Sequence, residues 1–482
     1  MKIQKPVLSA SKIPQKHKEI YVDKTKGYYY AFNPLSKKGI ILLTEELLFL
    51  LSVIDNKKTI TEIYQLFKKT FSYVSDDNFK LYIGFLTQSE LIFFDSSPLI
   101  HAMNTKKNDS FHVWFHLTNQ CNLRCTYCFV AKTNDHMDTA IVKKSIQKIF
   151  ESAKENGYQK ITIRLAGGEP LLQMKHVLFA SELVDIYAKK YEVDAAKEII
   201  TNGVLLTEKA AELFRKYQIE TTISFDGVKQ GQDKNRPFAD HKTGSYEYVS
   251  RGLNNAIAAN ILERVIVTVT NHNVKDIPAI AEYFLSKNIL LNFQFFLINP
   301  QTDANIAREL KVDDDVLIGY LRKTIQIARK YLAPFQIANS LIHEIHIGAP
   351  TETCGASDRT FMTVRHDGHL SNCNWELDTS IGTIHDGDVI QTYKKNAYIE
   401  PVRTIKRKIT CHTCRWKYIC SGCPLEFKWN KKARAPQYCN VKMTLIPEML
   451  RLEAERLIAV IQSKQNSTSS NSHQVTENMS QA

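Results

Sequence analysis

Three observations predict an α/β protein whose middle is an open, partial barrel of parallel strands. Six short apolar runs alternate with amphipathic stretches, which is how strands separated by helices read. A cysteine triad follows the first run directly, and the other seven of the ten cysteines crowd into the final third of the 482 residues. Strands are expected over 111–117, 161–165, 198–201, 221–225, 264–270 and 292–297. Helices near 138–155, 175–190, 207–217, 246–259 and 276–287 would cover one face through right-handed crossovers. In such sheets ligands sit beyond the carboxyl ends of strands, so the residues just after each run are the candidates for chemistry.

Ahead of the barrel, residues 1–96 hold no cysteine and read as a separate module. Tyr28-Tyr-Tyr-Ala-Phe-Asn-Pro and Gly39-Ile-Ile-Leu-Leu are two strands across a polar turn, and Thr44-Glu-Glu caps a buried helix over 47–54. Thr59-Ile-Thr-Glu caps a helix reaching about Lys69, and Asp76-Asp77 opens a third carrying Phe79, Leu81, Tyr82, Phe85 and Leu86. Strands followed by three helices make a winged-helix-like module. Residues 97–110 and 298–312 read as linkers, 111–312 as the barrel and 313–353 as a bridging helical region. A cysteine-rich domain over 354–440, an amphipathic closing helix over 441–463 and a disordered, Ser/Asn-rich tail over 464–482 complete the chain. The length has room for three domains of ordinary size.

The run Phe111-His-Val-Trp-Phe-His-Leu-Thr-Asn-Gln-Cys-Asn-Leu-Arg-Cys-Thr-Tyr-Cys puts Cys121, Cys125 and Cys128 on one short loop. Three thiolates can hold three irons of a [4Fe-4S] cube and leave the fourth open to a small molecule. A structural zinc site is the bland alternative, but zinc ligand pairs usually close with a second pair nearby, and the next cysteine here is Cys354. With Tyr127 before its last cysteine, the C-x3-C-x2-C pattern resembles the signature loop of radical S-adenosylmethionine (SAM) enzymes, over most of the chain. The resemblance implies a (β/α)6 core and a SAM whose amino and carboxylate groups chelate the open iron. It implies further that an electron from the cluster splits SAM into methionine and a 5'-deoxyadenosyl radical, which takes a hydrogen atom from the substrate. Tyr127 would lie near the adenine; taken alone it reads equally as a core aromatic.

After the second strand, Gly167, Gly168, Glu169 and Pro170 combine close backbone approach with a carboxylate that can accept from an ammonium group. This resembles the family's GGEP element, which holds the SAM amino group. Asn202 in Thr201-Asn-Gly, and Ser224 with Asp226 after the fourth strand, match family positions that contact the ribose and carboxylate of SAM. Arg236 would add a carboxylate partner, and its plain reading is a turn or cap residue.

The C-terminal cysteines divide into Cys354 with Cys373, then Cys411-x2-Cys414-x5-Cys420-x2-Cys423, then Cys439. Disulfides would need an oxidising compartment, yet Met1-Lys-Ile-Gln-Lys-Pro has no apolar signal core and no apolar run reaches membrane-spanning length. A cytoplasmic, thiol-rich metal protein without a membrane partner is expected. Two zinc ribbons would fit the count as well. In this context the arrangement, with Gly368-His-Leu-Ser-Asn-Cys373, resembles the SPASM extension of radical SAM maturases, departing from it by two residues rather than three between Cys420 and Cys423. The resemblance implies three [4Fe-4S] clusters in all. One auxiliary cluster would sit on Cys411, Cys414, Cys420 and Cys439, the other on Cys354, Cys373 and Cys423. The second set is one ligand short, so its open iron could take a substrate thiolate, or a water, histidine or carboxylate. Asn374 stands where anaerobic sulfatase-maturating relatives use an aspartate as base, which argues against alcohol oxidation. No residue is assigned as general acid or base; Glu376, Asp378 and His366 lie near the auxiliary ligands.

The N-terminal module resembles the leader-peptide recognition element of maturases acting on ribosomally made peptides, where the leader adds a strand to a sheet edge and packs on the third helix. Residues 1–110 hold 16 Lys and no Arg against 11 acidic residues, so no arginine is available there for bidentate base readout and no nucleic acid is expected. The expected function is hydrogen abstraction from a precursor peptide, gripped by its leader, to install a cysteine thioether of the sactipeptide or ranthipeptide type. A flavodoxin- or ferredoxin-type electron donor would serve it. A carbon-carbon or carbon-oxygen crosslink is the alternative, and a zinc-bearing DNA-binding regulator is the alternative of another class.

Overall fold

The computed structural model describes residues 10–94, 109–332, 337–348, 354–400, 404–405, 409–420 and 422–479, with side chains to Lys464. Most of the linker expected over 97–110 lies outside these residues.

The N-terminal part contains β1 (Gln15–Lys16), β2 (Tyr21–Thr25), β3 (Tyr28–Phe32), β4 (Ile40–Leu43), α1 (Glu45–Val53), α2 (Ile60–Thr70), α3 (Asp76–Gln88) and β5 (Ile92–Phe93). Strands β2, β3 and β4 form an antiparallel sheet in that order, and β1 pairs with β5. Thr44, Thr59 and Ser75 each accept a first-turn amide, and Thr59 with Glu62 closes a capping box. Leu50, Ile63, Phe67, Ile83 and Leu86 are fully buried between sheet and helices.

The middle of the chain alternates β6 (Ser110–Thr118), α4 (Thr139–Glu155), β7 (Lys160–Gly167), α5 (Met174–Tyr191), β8 (Asp194–Thr201), α6 (Glu208–Lys216) and β9 (Ile219–Ser224). Then come α7 (Lys229–Asn235), α8 (Tyr246–Ala258), β10 (Leu262–Val269), α9 (Ile277–Leu285) and β11 (Leu290–Phe295). All six strands are parallel neighbours in sequence order. Phe111, Val113, Phe115 and Leu117 on β6 are fully buried and share a core with Ile146 and Phe150 of α4. The expected linker at 298–312 instead carries α10 (Ala304–Leu310), because the Asp303 carboxylate caps the amides of Asn305 and Ile306.

The sheet does not end at β6. After α11 (Asp314–Ala328) and α12 (Ala338–Leu341), β12 (Phe361–Val364) adds in parallel to β6, and β13 (His369–Ser371) and β14 (Gly382–Thr383) follow antiparallel, making nine strands. The turn from β12 to β13 needs Gly368 at φ +80°, and its amide donates to Arg365 at 3.0 Å. Helices α13 (Val389–Asn396), α14 (Pro424–Trp429) and α15 (Cys439–Met479) complete the described chain. Helix α15 exceeds the 441–463 expected and runs into the segment expected to be disordered, since no glycine or proline follows Pro447 to break it. Among the described residues no helix is long and apolar enough to cross a membrane.

The N-terminal sheet is tied to α15. Arg451 donates to Asp23 at 2.8 Å, and the Thr25 hydroxyl donates at 2.8 Å to Glu455, which also pairs with Arg329 of α11 at 2.9 Å. Glu455 is buried, so its removal leaves both partners without their acceptor. Glu455→Ala is expected to lower the local opening free energy of β2 by about 1–3 kcal/mol. Hydrogen exchange of the Tyr21–Thr25 amides measures this, and unchanged protection would contradict the tie.

Candidate functional site

The loop after β6 is stitched to the loop after α7 along its length. Arg124 and Thr126 donate their amides to Pro237 (2.8 Å) and Asn235 (2.9 Å), Ala239 donates to Asn122 (3.1 Å), and Leu123 is fully buried. This holds Cys121, Cys125 and Cys128 together on one loop. Burial pushes the Cys125 thiol up to about 12, the Cys121 and Cys128 sulfurs adding to the effect, and it raises Cys121 as well. Buried thiols such as Cys121 and Cys125 ionise more readily when cations are supplied, which is what a metal cluster does. The donor set therefore fits an iron–sulfur group. Lys132 donates to Cys128 Sγ at 3.0 Å, a contact the motif does not announce.

The end of β7 sits directly on this loop. The amides of Gly168 and Glu169 donate to the carbonyls of Thr118 and Gln120, both at 2.7 Å. A Cβ on Gly167 would lie 2.4 Å from the Thr118 oxygen, and one on Gly168 would lie 2.2 Å from the Gln120 oxygen, so both glycines are required by the approach. Glu169 is fully buried; it accepts from Leu171 N (2.9 Å), Thr201 Oγ1 (2.7 Å) and Asn202 N (2.8 Å). Burial raises its pKa, and the three donors oppose that rise. Pro170 starts a short turn in which Glu169 is the cap. Asn202 also donates to Asn122 (2.8 Å) and reaches Cys121 Sγ at 3.9 Å.

Asp226 and Arg236 meet each other and Tyr127. Asp226 is fully buried and accepts from the Tyr127 hydroxyl (2.6 Å), Arg236 Nη2 (3.1 Å) and Thr268 N (2.9 Å). Arg236 lies 5.3 Å from the Tyr127 ring centre, over its face. The two charges are thus committed to each other and to fixing Tyr127, because a buried carboxylate needs its own cation close by. Ser224 ends β9 beside this hub.

The C-terminal cysteines separate into two places. Cys354, Cys373 and Cys423 pack round one small apolar cluster with Ala356, Ile399 and Leu425, and Trp375 and Trp429 close it. Burial pushes Cys373 up to about 12 with Cys354 adding to the rise, and Cys423 is raised by burial, then by Glu344 and Glu426, with Cys373 adding to it. Cys439 is raised by burial and then by Cys420 and Cys414. Cys411 leads the turn whose carbonyl accepts from Cys414 N at 3.1 Å. The same fit test favours metal at both places. Phe129, next to Cys128, stacks on Trp375 at 4.2 Å and 19°, so the first loop and the Cys373 place are in contact. Near Cys373, buried Glu376 is held by Lys428 and Asn372, Asp378 is exposed, and His366 is 4.0 Å from Asp135.

Residues 115–284 match the family model described as the Radical SAM superfamily. A cysteine-type anaerobic sulfatase-maturating enzyme of Clostridium novyi is 24% identical over 349 residues, 67% of this chain and 89% of the relative. A probable GTP 3',8-cyclase of Methanococcus maripaludis is 26% identical over 288 residues, 58% of this chain and 90% of the relative. Among solved structures, native anSMEcpe with bound AdoMet and Cp18Cys peptide shares the fold at TM-score 0.59 and 18% identity, covering 73% of this chain and 99% of that one. With the cysteine loop, the glycine-carboxylate turn and the parallel sheet in one place, residues 115–284 are a radical SAM domain, which implies a [4Fe-4S] cluster and SAM, and the chain is a radical SAM enzyme.

Proposed function

We propose that the chain abstracts a hydrogen from a ribosomally made precursor peptide and installs a crosslink, a cysteine thioether. The observation that carries this reading is the set of Cys354, Cys373 and Cys423, three thiols round one apolar cluster and one short of a full ligand set, in contact with the Cys121–Cys128 loop through Phe129 and Trp375. The relatives support a peptide substrate, since the solved neighbour is described with a bound peptide and the Clostridium novyi relative as a sulfatase-maturating enzyme.

In this reading Cys121, Cys125 and Cys128 hold the SAM-binding cluster, Cys411, Cys414, Cys420 and Cys439 a first auxiliary cluster, and Cys354, Cys373 and Cys423 a second. Bound SAM on the reduced cluster supplies a hydrogen-abstracting radical. Glu169 is fixed to accept from the SAM ammonium, with Gly167, Gly168 and Pro170 shaping the turn. Asn202 and Ser224 offer polar contacts, while Asp226 and Arg236 hold Tyr127 for the adenine. Phe129, Trp375 and Trp429 form an apolar wall that keeps water from a peptide radical. The N-terminal sheet and α3 form a winged-helix-like element that takes the leader by edge pairing. A small redox protein of the flavodoxin or ferredoxin type supplies electrons.

Reconstituted protein given SAM, a reductant and a neighbouring-gene peptide is expected to remove two hydrogens per crosslink, with one cysteine lost to alkylation; loss of hydrogens with every cysteine still alkylatable would favour a carbon-carbon or carbon-oxygen crosslink. Wild type purified anaerobically is expected to hold about 12 irons per chain and the Cys121/Cys125/Cys128 triple alanine variant about 8. Stoichiometric zinc with little iron would point instead to a zinc-bearing regulator and sink the maturase reading. Gly168→Ala forces a Cβ against the Gln120 carbonyl and is expected to lose the same share of iron as the triple variant, with auxiliary iron retained. Full iron with unchanged SAM affinity would show that the close approach is dispensable.

A further inference from the structure

Charge on this chain is concentrated in one stretch. Residues 409–434 carry six Lys or Arg against a single acid, Glu426, a net +5 in 26 residues. Glu426 does little to offset it at the surface, being 3% exposed with its oxygens accepting from the amides of Cys423 and Gln437. His412, Arg415, Lys428, Lys431, Lys432 and Arg434 are all exposed. Their position is as informative as their number. The Arg434 carbonyl accepts from the amide (3.3 Å) and hydroxyl (2.7 Å) of Thr410, so the Lys431–Arg434 segment lies against the turn carrying Cys411 and Cys414. No residue of Thr410–Thr413 is buried. A thiol turn that opens at the surface therefore has the cationic Lys431–Arg434 segment against it and Arg415 and Lys417 directly after Cys414.

We propose that this face docks an acidic one-electron carrier, a small flavin or iron–sulfur protein, beside the Cys411, Cys414, Cys420 and Cys439 site. The inference rests on the proposed reading of those four cysteines as a redox cluster site. A surface patch of one sign raises the encounter rate of a partner of opposite sign, and electron-transfer encounters are small, polar and governed by such rim charges. Each encounter moves one electron: the carrier is oxidised by one, the site reduced by one, and no bond or proton changes place. A nucleic acid would use the same charges, but it has no use for a thiol turn at their centre. An acidic leader is drawn instead to the N-terminal sheet edge in the reading above.

The test uses the full chain, reconstituted anaerobically, with purified acidic flavodoxin as the probe. In the K431E/K432E/R434E variant, flavodoxin affinity at low salt is expected to fall at least about tenfold and to lose most of its salt dependence. Bleaching of the cluster absorbance by reduced flavodoxin slows in proportion, while bleaching by dithionite and the iron content stay at wild-type values. The charge-matched K209E/R215E/K216E variant on α6 keeps wild-type affinity. Equal loss in both variants would reduce the effect to net charge and overturn the proposal. So would unchanged flavodoxin affinity with lost binding of a short DNA duplex, which would mark a nucleic-acid surface. Lost iron in the patch variant would assign these residues to cluster retention and overturn it too. A wild type without iron would fail the cluster reading itself, a separate result.

Discussion

One buried carboxylate organises the end of the parallel sheet. Glu169 has no exposure, and an uncompensated charge there would cost several kcal/mol. Three donors from two loops offset that cost: Leu171 N from its own turn, and Thr201 Oγ1 with Asn202 N from the end of β8. The same turn donates two backbone hydrogens to the cysteine loop, an approach that only glycine at 167 and 168 permits. The ends of β6, β7 and β8 are therefore bound to one another before any ligand arrives. Under the proposed function, the SAM ammonium would meet an acceptor already held in place, with little ordering left to be done on binding.

The remaining parts are fastened to that sheet at defined points. Strand β12 extends it in parallel beside β6, and β13 returns antiparallel with Ser371 opposite Thr363, so the chain leaves towards Cys373 at the end of the sheet where β6 begins. The N-terminal module meets the cysteine-rich region at the stretch after Cys414. Four of the five residues in the spacer between Cys414 and Cys420 touch the module: Arg415 and Trp416 face Tyr21, Lys417 lies 4.0 Å from Glu19, and Tyr418 meets His17 edge-on. Tyr21 belongs to β2, the strand Arg451 and Glu455 also hold. Order in the spacer and order in β2 are therefore linked, and what stabilises one stabilises the other by the same free energy.

What the sequence made legible follows from periodicity. The six barrel strands and five covering helices lie where alternation and capping place them, since each is long enough to show its period: β7 and β8 have eight residues each, and Thr44, Thr59 and Thr207 announce the starts of their helices. Strands β12, β13 and β14 have four, three and two residues, too short to show any period, and β2 reads Tyr-Val-Asp-Lys-Thr with charges breaking its pattern. At the site, the cysteines and the Gly-Gly-Glu-Pro turn stand out because spacing alone marks them. The pairing of Asp226 with Arg236 does not, because polar residues after strands look alike until the fold decides which of them meet. Charge was misleading as a total: lysines scattered through the N-terminal module hid the density of cations round Cys411.

The surroundings of Cys373 bear on which chemistry the site suits. An alcohol needs a strong base at hand to lose its proton, whereas a thiol with an ordinary pKa near 8.5 ionises readily once a metal takes the sulfur. Asn374 is an amide and cannot serve as base; its Oδ1 lies 3.5 Å from Cys373 Sγ. Glu376, the buried carboxylate nearby, is already engaged by Lys428 and Asn372. What these residues offer is an apolar cluster closed by Trp375 and Trp429 and carrying three sulfurs. That is a poor place to oxidise a hydroxyl and, in the proposed function, a good one to hold a second sulfur beside a carbon radical, which is the argument for proposing a thioether.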